Sequence, residues 1–354
     1  MATFKRAQLP KFIDCLGCKL TLSALLAAIM GVACSPNGTA ASQAPAKKDD
    51  GVVQTGQLPR TGLLDGANLK ATTIESVVGK VNAGGVLVLG ELHGNATHYF
   101  RQKGALSALA ATGRCTVSVG LEFLSWVHQA SVDDFFDGKL AEADFLKAAE
   151  WGGNPFSDYR DQALFSRQTG GRLIGLNAPR TLTGAISKRG VEGLTAEEVA
   201  LMPPEFSLGS KGYRERFDSI MGGHIPAQAL DRYFAAQSTW DETMAWQVAK
   251  FLGANPTHCV AVIVGDFHVN FGGGLPDRLR ARGIGNVVTI SQVDTFSLTE
   301  PELTAELGPD SRYGDRADGI WLSSTDPGPS PTVEAEAVKS LQGFRFEPLE
   351  AKGL

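Results

Sequence analysis

Several familiar motifs are missing from this 354-residue sequence. It contains no G-x-x-x-x-G-K-[ST] loop, no G-x-G-x-x-G run and no G-x-S-x-G nucleophile elbow. These absences argue against a P-loop nucleotidase, a dinucleotide-binding fold and an α/β serine hydrolase. A basic surface is missing too, because the formal net charge is -5 and Lys and Arg are scattered. Nucleic acid is therefore not an expected partner.

Cysteines are few and follow no framework spacing. Three lie near the N-terminus, and Cys115 and Cys259 each open a predicted strand. The spacing does not indicate a disulfide scaffold. We expect Cys115 and Cys259 to be small residues of the core.

A run long enough to cross a membrane is missing from the N-terminal region. The apolar run Leu20–Ala33 follows a basic segment and is too short for a span. Residues 1–33 resemble a bacterial lipoprotein signal, in which Cys34 becomes the lipidated first residue. Gly31 stands where that signal usually has Leu, so residues 31–33 also suit ordinary signal-peptide cleavage. Both interpretations predict export to the bacterial cell envelope, and lipidation predicts an anchor in a membrane, which we expect to be the outer membrane.

The rest of the chain divides by composition. Residues 34–60 are small, polar and Pro-containing and are predicted to form a flexible tether. Residues 61–324 are predicted to fold as one unit, and residues 325–354 form a tail after the DPGPSP segment.

Within residues 61–324, short apolar runs alternate with segments of helical spacing. This alternation predicts an α/β fold with a mainly parallel sheet and flanking helices. The long helical stretches 126–149 and 194–252 are expected to be insertions that cap one end of the sheet as a lid. The predicted strands are Val86–Leu89, Thr116–Leu121, Arg172–Leu176, Val260–Val264 and Val287–Ile290, and the first two helices are Thr73–Asn82 and Thr97–Ala111.

Two strand ends carry the same pattern of an acid, an apolar residue and a histidine. The stretch VLVLGELHGN ends in Glu91 and His93, and VAVIVGDFHVN ends in Asp266 and His268. In an extended chain, side chains two apart point the same way, so each acid is expected beside its histidine. Glu122 and Asn177 follow two further strands. Since parallel strands end at one edge of a sheet, these groups are expected to converge.

Such a cluster has two chemical interpretations. His93, His268, Glu91 and Glu122 are ligand types of a divalent metal site. The same residues with Asp266 are also the types needed for acid–base hydrolysis, with a carboxyl pKa raised by neighbouring like charges. On the predicted helix 226–252, Gln237 and Asp241 lie one turn apart, and we expect them to be solvated or satisfied by a neighbour.

Five segments taken together resemble the ChaN family of haem-binding uptake lipoproteins. This family lies in the Tiki superfamily with TraB-like and erythromycin-esterase-like proteins. The resemblance runs in order over nearly the whole folded unit, and it implies haem binding near a helical lid and a homodimer. The segments are GELHGNATHY (90–99), GLEF (120–123), GLNAPR (175–180), AQSTWDETMA (236–245) and GDFHVNFGGGLPDRL (265–279).

The resemblance also implies residue roles. A tyrosinate is the expected axial ligand, and Tyr159 and Tyr213 are the insertion tyrosines. His98 and His224 are candidates for propionate contacts or a second ligand, and Arg180 for neutralising a propionate. The possible walls of a haem slot are Trp126, Trp151, Phe156, Trp240 and Trp246. Two hypotheses remain open, a haem carrier and a metal-assisted or acid–base hydrolase.

Overall fold

Apolar runs bounded by glycine form the central strands of the protein. The computed structural model describes residues 58–221 and 226–324. The strands of these residues are β1 (Gly62–Asp65), β2 (Val86–Glu91), β3 (Thr116–Ser125), β4 (Leu173–Asn177), β5 (His258–Gly265), β6 (Val287–Asp294) and β7 (Gly319–Ser323).

Helices separate most of the strands. They are α1 (Ile74–Val78), α2 (Ala96–Ala111), α3 (Gln129–Phe136), α4 (Glu142–Ala148), α5 (Phe156–Thr169), α6 (Arg180–Arg189), α7 (Ala196–Val199), α8 (Lys211–Met221), α9 (Ala227–Ala254), α10 (Leu275–Ala281) and α11 (Glu300–Leu307). Short 3-10 turns at Trp126–His128, Val191–Gly193 and Asp266–His268 connect some of them.

The strands form a sheet in the order β1-β7-β6-β2-β5-β3-β4. All neighbouring pairs are parallel except β1 with β7. The predicted α/β fold with a mainly parallel sheet is therefore confirmed. The short outer strands β1 and β7 were not predicted.

Both faces of the sheet are covered by helices. Along β2, Leu87 and Leu89 pack on one face with α1, α2 and α5, while Val86 and Val88 pack on the other with α6, α9 and α10. Because both faces are buried, the strand has an unbroken apolar sequence rather than an alternating one. Among the described residues, no helix is long and apolar enough to span a membrane.

Of the predicted insertions, the first packs against the edge strand β4, whereas most of α9 in the second packs on one face of the sheet. After β3 the chain forms the 3-10 turn and then α3, whose Gln129 covers the edge strand β4. The Gln129 Oε1 atom accepts a hydrogen bond from the N–H of Gly175 at 2.7 Å, and its Nε2 atom donates to the Leu173 carbonyl at 3.1 Å. Helix α8 and the start of α9 form a separate small apolar cluster around Phe267.

Cys259 is buried in the main core and Cys115 packs against it, as expected. The sequence did not predict that the two residues form a disulfide, with their Cα atoms 5.6 Å apart. Strands β3 and β5 are parallel neighbours, with Val117 paired to Cys259. Both cysteines therefore lie at the amino-terminal ends of these two strands. Their sequence separation of 144 hid this proximity in the sequence.

Several predictions fall outside the described residues. These are the signal peptide 1–33, the lipidation site Cys34, nearly all of the tether, the tail 325–354 and His224. The domain boundaries therefore remain predictions.

Candidate functional site

The carboxyl ends of β2, β5 and β3, neighbours in the sheet, bring two histidines to one glutamate. Glu122 lies between the two imidazoles: its Oε2 atom is 3.9 Å from Nε2 of His93, and its Oε1 atom is 3.6 Å from Nε2 of His268. The backbone N–H of Gly265 donates to Glu122 at 2.6 Å and holds the carboxylate in place. The structure thus brings His93, Glu122 and His268 together, as the strand-end pattern predicts.

A second carboxylate, that of Glu91, orients His93 by contacting the ring nitrogen that does not face Glu122. The Oε1 atom of Glu91 lies 2.7 Å from Nδ1 of His93, as the alternation of an extended chain predicts. Glu91 is fully buried and also accepts hydrogen bonds from the Tyr159 hydroxyl and the Gln102 amide. Tyr159 itself lies 3.2 Å from the hydroxyl of Tyr99. His93 is thereby fixed in one orientation, with Nε2 facing Glu122.

His268 is oriented in the same way from the other side. The Oδ1 atom of Asp241 on α9 lies 2.7 Å from Nδ1 of His268. Asp241 is fully buried and accepts a hydrogen bond from the Tyr213 hydroxyl at 2.8 Å. Gln237 donates to the same hydroxyl at 3.0 Å, and Arg278 lies 3.8 Å from the Asp241 carboxylate.

The two halves form one connected polar cluster. A tyrosine, a carboxylate and a histidine follow one another on each side of the central glutamate. We call this arrangement the strand-end cluster; its members are Tyr159, Glu91, His93, Glu122, His268, Asp241 and Tyr213.

Opposite charges decide the protonation of the central pair. Burial opposes ionisation of Glu122, but His268, with His93 and the Gly265 N–H, lowers the pKa of Glu122 to about 2. Burial likewise opposes protonation of His268, but Asp241 and Glu122 raise the pKa of His268 to about 10. The same balance of burial against Glu91 and Glu122 raises the pKa of His93. The expected raised carboxyl pKa is not found at Glu122, because imidazoles rather than carboxylates flank it.

Asp266 does not join the cluster. The chain leaves the extended conformation at Gly265 and makes a 3-10 turn, so side chains two apart no longer point the same way. The Asp266 carboxylate instead pairs with Arg316 at 2.7 Å and accepts a hydrogen bond from Ser291 at 2.9 Å. Asn177 also turns away from the imidazoles, since its side chain donates to the Glu122 carbonyl at 2.9 Å.

The predicted haem-contacting residues have different surroundings. His98 is fully buried, and its Nδ1 atom accepts a hydrogen bond from the Leu92 N–H at 3.0 Å. Burial, together with the charge of Arg101, lowers the pKa of His98 to about 3, so the ring is neutral. Arg180 is half-buried at the start of α6, and its Nη2 atom donates to the Gly152 carbonyl at 3.0 Å.

Both predicted tyrosine ligands are enclosed. Tyr159 and Tyr213 have exposed fractions of 0% and 1%. Burial, followed by the charge of the neighbouring carboxylate, raises the pKa of each phenol well above its usual value. In this arrangement both side chains are neutral hydrogen-bond donors.

Aromatic rings flank the cluster on both sides. Phe123 lies 5.1 Å from the His93 ring and 5.5 Å from Trp151, and Trp240 lies 6.3 Å from the His268 ring. Of the expected wall residues, Phe156 and Trp240 are buried. The other three, Trp126, Trp151 and Trp246, are half-buried.

The predicted metal site is not seen. Among the described residues, no group of three or more His, Cys, Asp or Glu side chains is arranged to hold a metal ion. The ring nitrogens of His93 and His268 face carboxylates instead. A cavity of about 330 Å³ lies elsewhere, between the loop after β5 and the segment before β7, and the strand-end cluster does not line it.

Gln237 and Asp241 on the long helix are buried, and both contact His268. Of the two expected alternatives, solvation is therefore wrong, and satisfaction by a neighbour is what the structure shows. Their spacing of four residues placed them on one face of α9, but it did not indicate that this face orients a strand-end histidine. Tyr99 and Gln102 lie on α2, where Gln102 donates to Glu91 and the Tyr99 hydroxyl contacts that of Tyr159. No sequence pattern predicted these two contacts.

The fold and the strand-end cluster together define a class of protein. They describe an α/β protein with an acid–histidine site at the carboxyl edge of its sheet and helical insertions beside it. Residues 77–279, more than half of the chain, match the model of the family described as haem-binding uptake, Tiki superfamily, ChaN. The chain therefore belongs to this family.

One of the similar solved structures agrees at the level of the fold. The structure described as cofacial haem binding to ChaN of Campylobacter jejuni has a TM-score of 0.55 at 18% identity, covering 74% of this chain and 96% of that one. The open conformation of an erythromycin esterase mutant has a TM-score of 0.40 at 12% identity, covering 68% of this chain and 76% of that one. No curated protein matches the sequence.

Proposed function

We propose that this protein binds ferric haem in the bacterial cell envelope as a step in haem or iron uptake. The observation that carries the proposal is the family match over residues 77–279, which contains the whole strand-end cluster and the helices around it. Titration of the purified protein with hemin, followed at the Soret band, tests the proposal. We expect saturable binding at micromolar concentration, and its absence would reject haem binding.

The side chains near the cluster partly fit the needs of a haem. A haem needs an apolar slot, an axial ligand and partners for two propionates. Half-buried Trp126 and Trp151 and the guanidinium of Arg180 supply apolar walls and a positive charge. The phenols of Tyr159 and Tyr213 are suitable hard donors for ferric iron, but both are enclosed. Ligation therefore requires an insertion helix to move.

Of the two tyrosines, we propose Tyr213 as the axial ligand. Its helix α8 packs in a small apolar cluster that is separate from the two main cores, whereas Tyr159 on α5 belongs to the main core. Segments with few core contacts open at lower free energy. Moving α8 should therefore cost less than moving α5.

Substitution of single tyrosines tests this assignment. Tyr213→Phe should abolish the high-spin ferric spectrum expected of a tyrosinate ligand, while Tyr159→Phe, which loses the equivalent hydroxyl on the other side of the cluster, should leave it intact. Reduction should weaken binding, because ferrous iron gains less from an anionic oxygen. Loss of the spectrum in Tyr159→Phe or His93→Ala, with Tyr213→Phe normal, would reassign the ligand.

We further propose that the protein is exported and anchored by lipid at Cys34, in the outer membrane. The disulfide between Cys115 and Cys259 supports export, because such bonds persist in oxidising compartments. More than one acyl chain is needed for stable anchoring. The mature chain should begin at a modified Cys34, and Cys34→Ala should be released or remain unprocessed. An intact mass with an unmodified Cys34, or with a later start, contradicts lipidation.

A homodimer is part of the same proposal, and it rests on the family resemblance. Light scattering of the full chain, with and without hemin, tests it. A monomer under both conditions would contradict it.

A hydrolase is the second candidate, because Glu122 lies between two oriented imidazoles. At neutral pH a carboxylate then faces an imidazolium, which is the pairing that acid–base chemistry uses. Their pKa values of about 2 and 10, however, lie far from neutral and weaken proton exchange. Ester or peptide cleavage, with and without added divalent metal, tests this candidate. If it is correct, His93→Ala and His268→Ala together should be little worse than either substitution alone.

A further inference from the structure

Near the strand-end cluster, His128 and Arg180 follow the ends of two neighbouring strands. Strands β3 and β4 remain paired as far as Ser125 and Asn177. His128 lies in the 3-10 turn that follows β3, and Arg180 is the first residue of the helix that follows β4. Glu150 follows α4, and its Oε2 atom is 3.9 Å from Nε2 of His128. Burial lowers the pKa of Arg180, and the negative charge of Glu150 partly opposes that shift. We call these three residues the rim site.

Glu150 is weakly held in this position. Its φ of 51° lies in the left-handed region, which is unfavourable for a residue other than glycine. Its side chain is 68% exposed, and 3.9 Å is longer than a hydrogen bond. A competing anion would therefore displace the Glu150 carboxylate at little cost.

Arg180 has unused capacity to bind an anion. Among the described residues, its guanidinium donates one hydrogen bond, to the Gly152 carbonyl, and no carboxylate oxygen lies within ion-pair distance. A Cβ atom at Gly152 would lie 3.0 Å from Nη1 of Arg180, so the absence of a side chain at Gly152 lets the guanidinium pack closely against the backbone there. A planar guanidinium binds a carboxylate through two parallel hydrogen bonds, which a single backbone carbonyl does not replace.

Aromatic side chains connect the rim site to the strand-end cluster. Trp151 follows Glu150 directly, its ring packs on Phe123, and Phe123 packs on His93. A ligand with a flat apolar body and a carboxylate arm would place the body along these rings and the arm on Arg180.

We propose that Arg180 and His128 form a binding site for a carboxylate group of the ligand, and that Glu150 competes with the ligand for it. This inference rests on the proposed haem function, since haem carries two propionate carboxylates. Arg180 would bind the carboxylate by paired hydrogen bonds, and His128 would donate one from its ring.

The test compares hemin with its dimethyl ester, which has the same ring and iron but no free carboxylate. Arg180→Gln should weaken hemin binding about 10- to 100-fold, the worth of a charge-assisted hydrogen bond. Binding of the ester should be unchanged. His128→Gln should weaken hemin binding by a smaller factor. Glu150→Gln should tighten hemin binding by about 2- to 5-fold, the range for an exposed ion pair, and leave the ester unaffected.

Two exposed residues near the same helices serve as matched controls. Arg160→Gln and Glu142→Gln, which break the ion pair between those residues, should change neither titration. If Arg180→Gln does not fold, as judged by its circular dichroism melt, the exposed Glu150→Gln variant carries the test alone.

The outcomes separate this inference from the function on which it rests. If the natural sequence binds neither hemin nor the ester, the haem function fails. If it binds both and neither Arg180→Gln nor Glu150→Gln changes the ratio of the two affinities, the rim site is rejected and haem binding stands. An equal loss of both ligands in His128→Gln would show that His128 contacts the iron or the ring instead.

Discussion

At the residue scale, Glu122 is the central negative charge of the strand-end cluster. A buried carboxylate without partners would be protonated at neutral pH. Two imidazoles and a backbone N–H reverse that preference, and Asp241, on the other side of the His268 ring, keeps that imidazole charged. The cluster is therefore a network of alternating charges in which each group depends on its neighbours. Removing one partner of such a buried pair typically costs about 3–5 kcal/mol.

This charge pattern predicts how stability depends on pH. The folded pKa of His268, about 10, is above its ordinary value of 6.5, so its contribution is complete below pH 6.5 and is lost as pH rises to about 10. The folded pKa of Glu122, about 2, is below its ordinary value of 4.5, so its contribution is present above pH 4.5 and is lost as pH falls to about 2. Both contributions are complete between pH 4.5 and 6.5.

Urea unfolding of the natural sequence and of His268→Gln measures this dependence. The difference in their free energies of unfolding should be largest below pH 6.5 and should shrink steadily towards pH 10. His258→Gln is the control, because burial lowers the pKa of that histidine and it should show no such loss. A difference that stays constant from pH 6 to 10 would contradict a protonated His268.

The sequence predicted the residues of this cluster where the backbone is regular. Glu91 and His93 lie side by side because the chain remains extended past the end of β2, as alternation requires. The prediction that Asp266 lies beside His268 is wrong, because the chain forms a 3-10 turn there and the two side chains no longer point the same way. No sequence pattern indicated that turn. The carboxylate that does orient His268 comes from Asp241, 27 residues earlier on another element. Only the packing of α9 against the sheet brings it there.

At the element scale, α3 protects the open edge of the sheet. Strand β4 is the last in the order, so one side of its backbone has no strand partner. The Gln129 amide takes the place of a strand by accepting from Gly175 and donating to Leu173. Open strand edges otherwise pair with other chains. The sequence predicted helical structure here but not this contact, which depends on a single side chain.

Replacement of Gln129 should therefore weaken the fold. Gln129→Ala leaves two backbone groups of β4 without these partners, and we expect a loss of about 1–3 kcal/mol in the free energy of unfolding. Gln168→Ala, at an exposed glutamine of α5, should change stability by less than about 0.5 kcal/mol. Equal unfolding midpoints in urea for both variants would show that water satisfies the β4 edge equally well.

At the scale of the whole molecule, one covalent bond ties distant parts of the chain together. The disulfide joins β3 to β5 across 144 residues, so it closes a loop that contains α3 through α9 and both predicted tyrosine ligands. A bond that closes so long a loop restricts the unfolded chain strongly. The order of the strands in the sheet could not be derived from the sequence. The disulfide could not be predicted either, because it depends on β3 and β5 being neighbours.

Loss of this bond should lower the free energy of unfolding by about 2–5 kcal/mol. The measurement is urea unfolding of the full chain with and without a reductant, repeated on a variant with both Cys115→Ala and Cys259→Ala. Reductant should shift the midpoint of the natural sequence and leave that of the variant unchanged. Protein purified and denatured without reductant should resist alkylation at both positions, because both sulfurs are bonded. Alkylation of both cysteines under those conditions would contradict the disulfide and remove the structural support for export.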